Sequence, residues 1–125
     1  MGDTDDRTDD ILVGRDGAIV TITLNRPGVM NAMTTQMFAE FGRICRQLNG
    51  DASVRVVVIT GAGGNFCSGA DVSGQVERST GEAPSAHLRN MRRIKESAQA
   101  FHELQHPVVA KVRGVAAGAG LNIAL

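Results

Sequence analysis

Two stretches of this 125-residue chain combine residue types that chemistry can use. The first is "HELQH", His102 to His106. It fits H-E-x-x-H, in which two histidines on one helical face hold zinc and the glutamate serves as base. Pro107 follows directly, and a residue before proline avoids helical geometry, so His106 falls at a frayed end. No His, Cys, Asp or Glu follows His106 to complete a ligand set. Phe101 and Leu104 already give the segment an ordinary amphipathic stripe. No metal ligands are assigned, and an HExxH-type zinc protein stays a remote alternative.

The second stretch is "GGNFCSGADVSG", Gly63 to Gly74, with one carboxylate, one thiol, and no histidine or lysine. It has a counterpart, "GVAAGAG", Gly114 to Gly120. Turns this small let a ligand touch the backbone, so the useful groups are N–H dipoles. Two such donors converging on one oxygen stabilise negative charge developing there. The second turn also opens a helix, whose first N–H groups lack intrahelical acceptors. Small residues serve tight packing equally well, and spacing alone leaves both readings open. "GAGGNF" and "GAGLNI" each resemble part of the dinucleotide fingerprint G-x-G-x-x-G, but Phe66 and Ile123 replace the third glycine. Nucleotide binding is a weak alternative. "HLRNMRRIK" could meet phosphates and fits better as the solvated face of a helix.

The elements that must position these turns follow from periodicity. Residues 1–10 are an acidic, solvated tail. "ILVGRDGAIVTITLN" is a hairpin turning at Asp16-Gly17, with Val20, Ile22 and Leu24 on one face. Thr34 or Thr35 caps a helix to about Leu48, whose inner stripe is Met37, Phe38, Phe41, Ile44, Cys45 and Leu48. Residues 54–60, "VRVVVIT", form a strand buried on both faces. The polar loop 61–86 is long, and its part 72–86 is expected to be mobile without ligand. A second helix spans about Ser85 to Gln105, with Leu88, Met91, Ile94, Ala98, Phe101 and Leu104 inward. "VVAKV" is another buried strand, and "LNIAL" begins a third helix. Strands alternating with helices predict an α/β fold with a largely parallel sheet.

Composition narrows the classes. Thirteen basic residues balance thirteen acidic ones, which argues against nucleic acid or an anionic membrane as partner. Two cysteines make no disulfide framework and fit a reduced, cytoplasmic setting. Neither a secretory signal, a presequence nor a membrane span is recognisable.

"LNRPGVMNAM" (24–33), "VRVVVITGAGGNFCSGADVS" (54–73) and "KVRGVAAGAGLNIAL" (111–125) resemble the crotonase superfamily, the enoyl-CoA hydratase/isomerase family. The likeness runs from Ile11 to the end, and the S-G-A-D loop paired with the later G-x-A-x-G-x-G turn is its specific mark. The resemblance implies a crotonase-like (ClpP/crotonase) spiral of ββα units. It implies an acyl-CoA thioester whose oxygen is held by the N–H groups of Ala70 and Ala119. It also implies a coenzyme A path along Met30, Ala32, Ala70, Asp71, Val72 and Ser73. No separate cofactor is implied, since coenzyme A is part of the substrate. A homotrimer or dimer of trimers is the implied assembly.

Family hydratases carry a glutamate where this chain has Asn122, and an amide is no general acid or base near neutral pH. Isomerase or other enolate chemistry is therefore as well supported as hydration. A non-catalytic acyl-CoA-binding or interaction remnant is the alternative. The chain reads as the N-terminal part, residues 11–125, of a truncated crotonase-like domain that ends within a helix. Exposed apolar surface is expected on it in isolation, or a companion segment that covers that surface.

Overall fold

A computed structural model gives the fold of residues 9–71 and 84–125. Strands β1 (Ile11–Asp16) and β2 (Ile19–Leu24) form the hairpin, followed by helix α1 (Thr35–Asn49) and strand β3 (Val56–Gly61). Helix α2 (Pro84–His102), strand β4 (Val108–Lys111) and the short helix α3 (Ala119–Ala124) complete the order. The strands lie in one sheet in the order β1-β2-β3-β4. β1 runs antiparallel to β2, while β2–β3 and β3–β4 are parallel, as the alternation of strands and helices requires.

The hairpin turns one residue later than predicted. Asp16 still pairs with Ile19, so Gly17 and Ala18 are the central residues. Gly17 has φ +61°, the positive value that a glycine-first hairpin turn places at its first central position. Val20, Ile22 and Leu24 are buried, and the pairings Val20–Val57 and Ile22–Ile59 extend one core face across the sheet.

Thr34 caps α1, its hydroxyl accepting from Met37 N at 3.1 Å. All six residues of the predicted α1 stripe are buried. In α2 the predicted inner stripe holds in part: Ile94 and Phe101 pack against the core, as does Leu104 just beyond the helix. Leu88 and Met91 are 63% and 51% exposed, and Ser97 and Ala100 are the buried positions. The reason is how closely the helices approach. A Cβ on Gly42 of α1 would stand 2.9 Å from Ser97 Cα, so small residues rather than large apolar ones occupy the crossing. Beyond it Phe41 and Phe101 meet at 5.3 Å between ring centroids. Ala98, also predicted inward, is exposed.

Two strands are less covered than predicted. In β3 only Val57 and Ile59 are fully buried, with Val56 and Val58 half-covered. β4 pairs with β3 alone among the described residues, and Val108 and Val109 are exposed. An apolar groove of about 480 Å³ opens between α1, α2, β4 and α3, lined by Phe38, Phe41, Phe101, Leu104 and Ile123 among others. α2 ends at His102, three residues short of the predicted end, and it already begins at Pro84. The remainder of the segment expected to be mobile, 72–83, lies outside the described residues.

Candidate functional site

β3 runs out at Gly61 into the first small-residue turn. A side chain there would collide with the carbonyls of Asn65 and Phe66 and would stand 2.7 Å from Asn31 Nδ2, so glycine is required. The chain then passes under the second turn. Phe66 N and Cys67 N both donate to Val115 O at 3.0 Å, and Ala117 N donates to Cys67 O at 3.0 Å. Asn65 Oδ1 accepts from Val115 N at 2.9 Å. Cys67 and Ala116 thus form a one-residue parallel bridge between the turns.

Met33 and Ala70 form a second parallel bridge. Met33 N donates to Gly69 O, and Asp71 N donates to Met33 O, both at 2.8 Å. In a trans peptide the carbonyl and the following N–H point in opposite directions. Gly69 O faces Met33, so the N–H of Ala70, in the same peptide unit, points away from it. Among the described residues that N–H has no partner, and Ala70 is exposed. The start of α3 lies close by. A Cβ on Gly118 (φ +53°) would stand 3.7 Å from Gly69 Cα. The peptide units that carry the Ala70 and Ala119 N–H groups are therefore neighbours. Gly120 packs so tightly that an added Cβ would meet Cys67 Cβ at 2.7 Å and overlap Cys67 O.

The other predicted positions gather along the same rim. Met30 O accepts from Ser68 N at 2.9 Å. Arg26 Nη1 donates to Ala32 O at 2.7 Å and to Asp71 Oδ2 at 3.0 Å. Met30, Ala32, Ala70 and Asp71 thus come together. Val72 and Ser73 lie outside the described residues. Asn122 belongs to α3, and its side chain lies outside what the structure describes.

Sequence reasoning missed the residues that hold this rim: Arg26, Asn31 and Asn65. Asn31 is fully buried. Its Oδ1 accepts from Arg26 N at 2.8 Å, and its Nδ2 donates to Ala62 O at 3.0 Å and Asn65 O at 2.9 Å. Met30 and Asn31 have φ of +52° and +58°. The signal available was an asparagine three positions after Gly28, since Asn tolerates left-handed backbone better than most residues.

The loop cysteine, Cys67, is fully buried. Burial pushes the Cys67 thiol up, opposed by a hydrogen bond from the Gly69 N–H. The zinc motif is not assembled. His106 Nε2 lies 2.8 Å from Leu48 O, and His102 lines the apolar groove. Among the described residues no group of three His, Cys, Asp or Glu side chains gathers.

Two glycine-bearing turns thus follow parallel strands, and among the described residues the first presents an outward Ala70 N–H rather than a reactive side chain. The chain belongs to the enoyl-CoA hydratase/isomerase family, whose model it matches over residues 14–125. It is 43% identical over 112 residues to a probable enoyl-CoA hydratase of Mycobacterium leprae, covering 86% of this chain and 37% of that protein. It is 36% identical over 107 residues to the 1,2-epoxyphenylacetyl-CoA isomerase of Escherichia coli, covering 86% of this chain and 41% of that protein. In structure it is similar to an enoyl-CoA hydratase/carnithine racemase from Magnetospirillum magneticum, with TM-score 0.84 and 29% identity over 94% of this chain and 44% of that one. An enoyl-CoA hydratase/isomerase from Marinobacter aquaeolei gives TM-score 0.82 and 31% identity over 93% and 46%. The fold is thus the crotonase fold, and the chain spans less than half the length of these proteins.

Proposed function

We propose that this chain supplies the acyl-CoA cradle and the oxyanion-binding turns of an enzyme acting on acyl-CoA thioesters. The observation that carries the reading is the Met33–Gly69 hydrogen bond, which turns the Ala70 N–H outward beside the start of α3. A thioester oxygen seated there accepts from Ala70 N–H and Ala119 N–H. When a base removes the proton on the carbon next to the carbonyl, the electron pair moves onto that oxygen, and the two dipoles stabilise the resulting enolate. Coenzyme A lies along Met30, Ala32, Ala70 and Asp71, and on through Val72 and Ser73. No cofactor beyond that coenzyme A is invoked. Asn122, at the position of a hydratase glutamate, moves no proton, so double-bond isomerisation or related enolate chemistry is favoured over hydration. In this reading the protein acts in fatty-acid or related acyl-CoA metabolism in the cytoplasm, as a homotrimer or a dimer of trimers.

Losing one donor removes about 3 kcal/mol of transition-state stabilisation. Ala70→Pro deletes the N–H, and Ala70→Ser retains it as a control. The proline variant is expected to bind a 3-enoyl-CoA and to lose its isomerisation to the conjugated 2-enoyl-CoA by about two orders of magnitude. A folded proline variant with normal turnover would exclude Ala70 as a donor. Asn122 also favours a second reading, a non-catalytic acyl-CoA-binding module. Calorimetric binding of crotonyl-CoA, with neither loss of the conjugated thioester absorbance nor exchange of substrate protons with solvent, would establish that module instead.

A further inference from the structure

We infer that Arg26 and Asp71 form a positioning clamp that fixes the direction of the Ala70 N–H; the inference rests on the function proposed above. The 69–70 peptide unit is vulnerable. It follows Gly69, whose φ of +116° lies where only glycine is at ease, and glycine offers little steric resistance to rotation of the adjoining peptide. Such a rotation would exchange the directions of Gly69 O and Ala70 N–H and leave the outward face with a carbonyl.

Three contacts oppose it. Gly69 O is held by Met33 N, Asp71 N is held by Met33 O, and the Asp71 carboxylate is held by Arg26. The guanidinium nitrogen that bonds Asp71 also bonds Ala32 O, so one atom ties the residue before Met33 to the residue after Ala70. Arg26 is itself fixed. Its N–H goes to Asn31 Oδ1, and its carbonyl accepts from Val29 N at 3.0 Å and Asn31 N at 2.9 Å. The ion pair is largely covered, with side chains 23% and 18% exposed, so water competes weakly for it. The clamp has an electrostatic consequence too. A bare carboxylate next to the donor would repel the negative charge that the donor is there to receive, and the guanidinium cancels it.

Neither side chain touches the reacting atoms in this arrangement; they act through the peptide between them. The test uses Arg26→Met and Asp71→Asn in the whole protein. One readout is the infrared carbonyl band of bound cinnamoyl-CoA, which hydrogen bonding to the thioester oxygen moves to lower frequency. Another is amide hydrogen exchange across residues 67–71 without ligand. At saturating cinnamoyl-CoA both variants are expected to lose most of the carbonyl shift, and Arg26→Met, outside the coenzyme A path, to bind it within about threefold of the natural protein. kcat should fall on the order of 100-fold in both, with KM nearly unchanged in Arg26→Met, and exchange at 67–71 should rise at least about tenfold. Asp71→Asn preserves side-chain shape and carries the test alone if Arg26→Met does not fold. Folded variants with natural exchange and a natural carbonyl band overturn the clamp. If exchange rises but even the natural protein shows no carbonyl shift, the clamp stands and the proposed function falls.

Discussion

Asn31 Nδ2 donates to the Asn65 carbonyl at 2.9 Å, joining the segment after β2 to the turn after β3. The Asn65 side chain then accepts from Val115 N, so the pair passes the connection on to the second turn. Asn31→Ala would leave Arg26 N, Ala62 O and Asn65 O without this partner in a buried place. The expected cost is about 3 kcal/mol of stability. Asn31→Asp should be at least as harmful, because a carboxylate would face the two carbonyls that now receive Nδ2. Urea melts of the three proteins check this; an aspartate variant as stable as the natural protein would refute the role given to Nδ2.

The two glycines at the start of α3 should fail for different reasons. Gly120→Ala places a methyl group on Cys67 O, and the expected loss is about 1–3 kcal/mol together with displacement of the helix start. At Gly118 the nearest atom is 3.7 Å away, so space is available. The strain there comes from φ +53°, worth about 1–2 kcal/mol for an L-residue. Gly118→Asn, which tolerates that backbone better, should therefore recover part of the stability lost in Gly118→Ala. Equal melts for Gly118→Asn and Gly118→Ala would show that the backbone conformation is not the cause.

Cys45 predicts an alkaline weakness. Burial pushes its thiol from the ordinary 9.0 up to about 12, opposed by the charge of Arg46. The folded value lies above the unfolded one, so the stabilisation is complete below pH 9 and is lost as pH rises toward 12. The loss should be roughly 1.4 kcal/mol per pH unit in that window. Cys67, also raised by burial, acts in the same direction. Urea midpoints at pH 8 and pH 10 should drop less for Cys45→Ala than for the natural protein. An identical drop would assign the alkaline loss to other groups.

Asn122→Glu puts a carboxylate where the family resemblance places a hydratase glutamate. Where a further carboxylic acid also reaches the acyl group, hydration of crotonyl-CoA should rise by at least about tenfold, a fraction of what a placed acid–base group can supply. The measurement is the decay of the enoyl thioester absorbance. Fast hydration by the natural protein would mean that Asn122 does not stand at that position.

Local pattern made much of the scaffold legible. Val20, Ile22 and Leu24 alternate because β2 has one core face, and the α1 stripe follows helical spacing with Thr34 as cap. Pattern failed where neighbours distant in sequence decide. Nothing within α2 tells that Gly42 lies opposite Ser97, so size could not identify the residues at the crossing. The burial expected of β4 depended on what flanks it, which its own residues do not encode. At the site, Ala70 and Ala119 came from the family resemblance. Arg26 and Asp71 stand far apart in the chain, and only the folded geometry joins them.

The bridges at Met33–Ala70 and Cys67–Ala116 set an order of events for folding. Each joins segments distant in sequence through a single residue pair, so each returns few contacts for the loop it must close. Neither can nucleate structure; both become favourable once β2, β3 and β4 are aligned. The two turns should therefore be absent from the transition state for folding and assemble on its native side. Substitutions at Ala70 or Gly118 should then speed unfolding while leaving the folding rate nearly unchanged.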